Sequence, residues 1–339
     1  MNVALLSAWH VHAMGYAEEI AAAAGVKITG VWDNDAARGK KFAEHWKTGF
    51  EPDLDALLAR SDVDAALVAC STNLHREVIT KCAKAGKHIF TEKVLAATCG
   101  EAEEIGNIVR KSGVTFCISL PFKSFPQNLF AKELAEKGTL GKITGLRIRD
   151  AHNGASAGWL PPTFYDPVEC QGGAMLDLGA HPMYLSAWLL GQPLSVVSLF
   201  AHHCNRELED NASSILEFPG GILASSETSL VASPSDMSFE LYGTRGWFKY
   251  SGQAHNPNDV RLCLEDDPAC KKGAWITPKL PEPRPSPIAQ WIAEVNTGRA
   301  AQGIGIDDAI TLSLLMDGAY RAHREGRKVT LAELRTGKH

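Results

Sequence analysis

Lys93 follows the run Lys87-His88-Ile89-Phe90-Thr91-Glu92, and Asp177 and His181 stand four residues apart in Gly172-Gly173-Ala174-Met175-Leu176-Asp177-Leu178-Gly179-Ala180-His181. A lysine at a strand end can hold a developing alkoxide. An imidazole can take the proton, and a carboxylate can orient the imidazole. That is the equipment for drawing a proton from a hydroxyl while its carbon gives up a hydride. The i, i+4 spacing puts Asp177 and His181 on one face of a helix. Singly, each has a plainer reading: Lys93 as a surface lysine paired with Glu92, Asp177 and His181 as a pair that helps hold a helix. The three together are far more specific than any one.

The elements that must position them follow from apolar periodicity. Over the first 120 residues, short apolar runs at Val3–Ser7, Lys27–Trp32, Ala65–Cys70, His88–Thr91 and Thr115–Ser119 alternate with helical patterns. The helices are expected at Ala13–Ala24, Ala36–His45, Leu54–Ala59, Leu74–Ala85 and Cys99–Ser112. Such alternation predicts an α/β, doubly wound parallel sheet with right-handed crossovers. After Pro121 the texture changes. A helix at Gln127–Glu136 and a strand at Lys142–Arg149 precede an irregular stretch, Ala151–Gln171. A single helix is expected over Met175–Leu190. Strands then follow one another at Ser195–His202, Ser213–Phe218, Ile222–Leu230, Ser238–Tyr242 and Trp247–Tyr250, with turns at Gly220-Gly221 and Gly243–Gly246. Helices near Pro287–Asn296 and Asp307–Arg324 close the chain. The reading is two domains, 1–121 and 122–339, the second an α+β domain on an open, mostly antiparallel sheet. The stretch Lys279–Pro287, with four prolines, is expected to be a surface loop.

A sheet of the first kind binds ligands beyond its carboxyl ends. The first strand-to-helix turn reads Ser7-Ala8-Trp9-His10-Val11-His12-Ala13, with Ser7, Trp9 and His12 where a pyrophosphate turn carries glycines. It is either an ordinary βα turn or a glycine-free version of that site. Asp33 ends the second strand some twenty residues past the turn, where a carboxylate accepts the adenosine ribose hydroxyls. Its charge would repel a 2′-phosphate, so NAD is expected over NADP; Arg38 softens the preference. Ser71, Thr72, Asn73 and His75 follow the third strand and suit the nicotinamide-side ribose, or one of the first three simply caps a helix. Glu92 and Lys93 follow the fourth.

At 339 residues, 45% of them hydrophobic, the chain can bury a sizeable core, and a net charge of −5 without long single-sign runs argues against nucleic acid. Eight cysteines without a CxxC pair read as reduced thiols of a cytoplasmic protein. No apolar stretch reaches 18 residues, so no membrane helix is expected. The apolar runs Val3–Leu6 and Ala21–Ala24 are read as strand then helix rather than a secretory leader, since no Lys or Arg precedes Lys27. His202-His203-Cys204 is not taken as a metal site, because neighbours on a strand point to opposite faces.

The two motifs together resemble the glucose–fructose oxidoreductase/inositol dehydrogenase (Gfo/Idh/MocA) family, whose members carry E-K-P and G-G-x-x-x-D-x-G-x-H. This chain has Glu92-Lys93-Val94 in place of the first, and the whole of the second. The resemblance covers nearly the full length. It implies a Rossmann domain, a second open-sheet domain, and an active site between them that oxidises or reduces a carbinol of a sugar, cyclitol or related polyol. It further implies Lys93, Asp177 and His181 as the catalytic set, and homodimers or homotetramers formed through the open sheet. The chain departs from the pattern at Ser7–His12, at Val94, and at Tyr184, where many members have an acid. Asn153, Trp159, Tyr165 and Asp166 in the irregular stretch are candidate contacts to a polyhydroxyl substrate, or simply loop packing. A redox-neutral NAD-dependent glycosidase and a non-catalytic nucleotide- or sugar-binding protein are the competing readings.

Overall fold

A computed structural model describes residues 1–335; the last four residues of the expected second domain lie outside it. The described chain divides into two units. The first comprises Met1–Leu120, Val168–Gln171 and Pro285–Ser313; the second comprises Pro121–Pro167, Gly172–Arg284 and the residues from Leu314 onward.

In the first unit, strands β1 (Asn2–Leu6), β2 (Lys27–Trp32), β3 (Ala65–Val68), β4 (His88–Thr91) and β5 (Phe116–Ile118) form a parallel sheet in the order β2-β1-β3-β4-β5. Helices α1 (Ala13–Ala22), α2 (Ala36–His45), α3 (Leu54–Ala59), α4 (His75–Lys84) and α5 (Cys99–Ser112) lie between the strands in sequence. Residues 3–6 and 65–68 are fully buried, as strands covered on both faces must be. Strand order reverses between β1 and β3, which makes their carboxyl ends the switch point where ligands bind in such sheets. Asp35, Asp53 and Thr98 accept backbone N–H bonds at the starts of α2, α3 and α5, satisfying donors that the first helical turn leaves open.

The second unit begins with α6 (Pro126–Glu136) and β6 (Ile143–Ala151). After α7 (Pro167–Cys170), most of which belongs to the first unit, come α8 (Ala174–Asp177) and α9 (Ala180–Leu190). Then follow β7 (Ser195–Ala201), β8 (Asn211–Phe218), β9 (Ile222–Ser229), β10 (Asp236–Gly243), β11 (Gly246–Gln253) and β12 (Asn256–Leu264). Helix α10 (Pro287–Thr297) belongs to the first unit, where it packs on β4 and β5 and buries Trp291 against Phe90. Helix α11 (Ile306–Glu325), β13 (Val329–Thr330) and α12 (Leu331–Arg335) end the described chain. The eight strands run β12-β11-β10-β6-β9-β8-β7-β13, and only the β6–β9 pair is parallel. Along β8, burial alternates strictly, with Ala212, Ser214, Leu216 and Phe218 inward, the period-2 pattern of a sheet covered on one face.

Three expectations need correction. Strand β12 follows the last strand expected; its run Asn256-Pro257-Asn258-Asp259 reads as turn residues, and it forms because it pairs with β11. His202-His203-Cys204 lies just past β7, not on a strand, and the His203 and Cys204 amides donate to the Asp210 carboxylate. The third correction, a break in the helix expected over 175–190, bears on the site.

Candidate active site

The first-unit residues gather at the carboxyl edge of the parallel sheet. Ser7, directly after β1, has φ 75°, the left-handed region that favours glycine. The turn thus keeps a glycine's backbone conformation without the glycine, and the Ser7 side chain supports it. Its hydroxyl lies 3.1 Å from Asp33 Oδ2 and accepts the Trp9 N–H at 3.1 Å. Other amides of the turn are used internally. Ala8 N–H donates to Asp33 Oδ2 (2.9 Å), His10 N–H to the Ala69 carbonyl (3.1 Å) and His12 N–H to His10 Nδ1 (3.2 Å). The Trp9 indole N–H donates to Glu169 on α7 (2.7 Å), so Trp9 serves as a buried brace; Val11 is exposed.

Asp33 is buried and gripped by Arg38, whose Nε and Nη2 donate at 2.9 and 2.6 Å. Carboxylate and guanidinium at the end of β2 together offer an acceptor and a cation, and this fits the adenosine side of a dinucleotide. Beyond β3, Ser71 donates to Asn73 Oδ1 (2.6 Å) and caps no helix; a short 3₁₀ turn, Thr72–Leu74, leads into α4 instead. His75 corrects an expectation. It is buried, with Nδ1 2.8 Å from the Val94 carbonyl and Nε2 3.2 Å from the Cys70 carbonyl, and burial pushes its pKa down. Both ring nitrogens face the backbone, so His75 braces the Lys93–Val94 segment and is not placed to contact a cofactor.

Glu92 is the centre of a polar knot. Its Oε2 accepts from Tyr16, lies 3.2 Å from His12 Nδ1 and 3.7 Å from His10 Nδ1, while Oε1 accepts the Lys93 N–H at 2.9 Å. Tyr16 reaches Ser119, just past β5, at 2.7 Å. Burial alone would raise the Glu92 pKa; the His10 and His12 imidazoles and the Lys93 ammonium outweigh it and hold the carboxyl well below the usual range. Lys93 itself is 6% exposed, so a surface ion pair does not describe it. The Lys93–Val94 peptide is cis.

Among the described residues, His10, His12 and Glu92 are the group with metal-ligand reach, their donor atoms within 4.8 Å of one another. His10 Nδ1 lies 3.2 Å from the His12 amide as well as 3.7 Å from Glu92 Oε2. Glu92 thus links the two imidazoles in one polar network.

In the second unit, Asp177 and His181 lie on successive short helices. Gly179 N–H reaches back five residues to the Ala174 carbonyl (2.9 Å), then His181 N–H reaches only three, to Leu178 (3.0 Å). A wide turn followed by a tight one interrupts α8–α9, and a side chain at Gly179 would fall onto the Met175 carbonyl. The start of α8 is held from outside. Glu209 Oε1 accepts the Gly173 and Met175 N–H groups, each at 3.0 Å, and the Tyr320 hydroxyl at 2.5 Å. A Cβ at Gly173 would land on the Glu209 carbonyl oxygen, so glycine here admits the capping carboxylate. Asp177 ends α8, half-buried, and His181 is buried.

The surroundings of His181 were missed by sequence reasoning. The Phe122 ring stacks on its imidazole with centroids 4.0 Å apart and planes 10° apart. The Tyr184 hydroxyl lies 2.9 Å from Nδ1 and accepts the Phe122 N–H at 3.1 Å. Lys123, 3% exposed, places Nζ 5.7 Å from the Tyr184 ring centre. One signal was available: Pro121-Phe122-Lys123 follows the last parallel strand, where chemistry-bearing residues collect. In the irregular stretch, Asn153 Oδ1 accepts the Trp159 indole N–H (3.1 Å), and Trp159 is 56% exposed. Tyr165 lies under the Arg206 guanidinium (3.3 Å), and its side chain and that of Phe164 pack against the cluster Ala155, Leu160, Ala174 and Leu230. Asp166 closes the short 3₁₀ turn Pro162–Tyr165.

Comparison with known proteins agrees with this architecture. A family described as an oxidoreductase family with an NAD-binding Rossmann fold matches residues 8–120, and the Gfo/Idh/MocA C-terminal domain matches 129–249. The chain is 30% identical over 200 residues to dTDP-3,4-didehydro-2,6-dideoxy-alpha-D-glucose 3-reductase of Actinomadura kijaniata, covering 57% of this chain and 56% of that one. It is 28% identical over 291 residues to myo-inositol 2-dehydrogenase of Thermotoga maritima, covering 82% and 83%. The fold matches that of levoglucosan dehydrogenase, solved with NADH and levoglucosan, at a TM-score of 0.83 and 17% identity over 98% of this chain and 99% of that one. The chain belongs to the Gfo/Idh/MocA family of NAD-binding oxidoreductases.

Proposed function

We propose that this protein is an NAD(P)-dependent oxidoreductase that transfers a hydride between a carbinol of a sugar, cyclitol or polyol and nicotinamide. The observation that carries the reading is the catalytic motif itself: Lys93 buried at the end of β4 beside an ionised Glu92, and His181 buried with its ring fixed in plane and at Nδ1. The relatives named above act on a sugar nucleotide and on inositol. Asp33 and Arg38 would hold the adenosine ribose, and Ser71, Thr72 and Asn73 the second ribose. NAD is favoured over NADP because a buried carboxylate occupies the site that a 2′-phosphate would need. The nicotinamide, when bound, supplies the hydride acceptor.

His181 takes the hydroxyl proton. Lys93 steadies the oxyanion, and Asp177 supports the charge that develops on the imidazole. Asn153, Trp159 and Tyr165 are the proposed substrate contacts, their aromatic faces and amide suited to a polyhydroxyl ring. Oligomerisation is proposed on the open face of the eight-stranded sheet, and the cytoplasm is the proposed location. No described helix is long and apolar enough to cross a membrane.

The test is turnover with NAD, then NADP, across free sugars, cyclitols, anhydrosugars and aryl glycosides, reading reduced nicotinamide and released aglycone separately. Lys93→Ala and His181→Ala are expected to lower turnover by about 10²–10⁴-fold, the usual worth of acid–base help, with NAD affinity nearly intact. Wild-type turnover in either variant would remove that residue from the mechanism. Aglycone release without net NADH would convert the reading to a redox-neutral glycosidase.

A further inference from the structure

His181 and Tyr184 are three residues apart on α9, so their side chains share a face. The Tyr184 ring is 2% exposed and edge-on to the imidazole, at 78° between planes. Its hydroxyl oxygen is held by the Phe122 N–H, and Phe122 also supplies the ring that stacks on His181. One residue of the turn after β5 therefore fixes the imidazole plane directly and its Nδ1 partner through the backbone.

We propose that Tyr184 is a positioning residue for His181, one that holds Nδ1 in every protonation state of the ring. The inference rests on the reading of His181 as the acid–base group. A hydroxyl both donates and accepts, whereas a carboxylate only accepts. When the neutral ring carries its proton on Nε2, Tyr184 donates to the bare Nδ1. When Nδ1 carries a proton, in the other tautomer or in the imidazolium, the Tyr184 oxygen accepts from it. The change requires only rotation of the hydroxyl hydrogen, so the heavy atoms stay in place while a proton arrives or leaves. In the oxidative direction the substrate O–H bond breaks and its proton passes to the imidazole. The electron pair left on oxygen forms the carbonyl as the C–H pair departs to the nicotinamide. The reverse direction returns both.

A phenol also differs from a carboxylate in charge. It orients the imidazolium without neutralising it, so the ring keeps a lower proton affinity than it would beside an acid. Charged side chains on the segments packed against α9 include Lys123, next to Phe122, Asp177, at the end of α8, and the buried Asp150 on β6.

The experiment compares wild type, Tyr184→Phe, Tyr184→Glu and His181→Ala by the pH dependence of kcat in the oxidative direction. It also uses ¹⁵N resonances of histidine-labelled protein without substrate, with His181→Ala identifying the signal. Tyr184→Phe is expected to lower kcat about tenfold while the KM for nucleotide stays within about twofold, and to shift the His181 ¹⁵N pattern toward a different tautomer balance. Tyr184→Glu is expected to move the acid limb of the kcat profile upward by about one pH unit or more. A folded Tyr184→Phe with wild-type kcat, pH profile and ¹⁵N pattern overturns the proposal, as does an unmoved acid limb in Tyr184→Glu. Full turnover in His181→Ala would instead defeat the underlying reading of His181. The ¹⁵N comparison still reports on the Tyr184 contact in that case, so the two failures are distinguishable.

Discussion

Glu92 is the residue at which burial and charge compete most openly. A lone carboxylate so deeply buried would take up a proton, yet the surrounding imidazoles and Lys93 hold its pKa down. A folded pKa below the unfolded value means that ionised Glu92 stabilises the fold above the ordinary carboxylate range. That contribution is lost as pH falls through the unfolded value toward the folded one. Glu92→Gln should therefore cost about 3 kcal/mol at pH 7, the cost of breaking a buried ion pair, and the gap from wild type should shrink below about pH 4. Urea unfolding midpoints at pH 7, 5 and 3.5 check this; a gap that does not change with pH would mean that Glu92 matters only by shape. The sequence identified the Glu92-Lys93 pair, but His10, His12 and Tyr16 lie some 76 to 82 positions upstream, a separation that no periodicity signals.

The element that matters most is the interrupted pair α8–α9. Residues 175–190 read as one continuous helix because every residue but Gly179 and Pro182 is a tolerable helix former, and Pro182 sits in the first turn of α9, where proline is accommodated. The break arises from packing at Gly179 and from the Glu209 carboxylate that holds the start of α8. Gly173→Ala should lower stability by about 2–3 kcal/mol, because the new methyl meets backbone oxygen rather than a side chain that can swing away. Its turnover should fall further than stability alone explains, since Asp177 and His181 are carried on the displaced turn. Thermal unfolding and kcat measured together test this. Gly15→Ala on α1, whose methyl would meet nothing within 4 Å, is the matched control.

Across the second unit, the open face of the sheet carries exposed Val197, Leu199, Ile215 and Leu223. Val197 pairs with Ile215 across β7–β8, and Leu223 pairs with Glu217 across β8–β9, so these residues share one surface. A sheet face of this kind is a natural surface for self-association. If the proposed oligomer uses it, Leu199→Asp combined with Leu223→Asp should give a monomer by light scattering at micromolar concentration, with the melting transition of the first unit unchanged. A wild-type mass in the double variant would place the contact elsewhere.

The sequence by itself determined the parallel sheet, most of its helix boundaries and the motif residues Lys93, Asp177 and His181. These depend on local periodicity and on short spacings that survive without tertiary context. It could not determine strand β12, whose pairing with β11 supplies what its turn-like residues lack. Nor could it show that His75 faces inward to two carbonyls, or that Arg38 already occupies Asp33. The partner of His181 Nδ1 was likewise decided by tertiary structure. Tyr184 is only three residues away, but it becomes that partner because Phe122, some sixty residues upstream, fixes the hydroxyl that meets the ring. Hydrogen-bond direction and burial depend on which distant segments pack together, and short-range spacing does not carry that information.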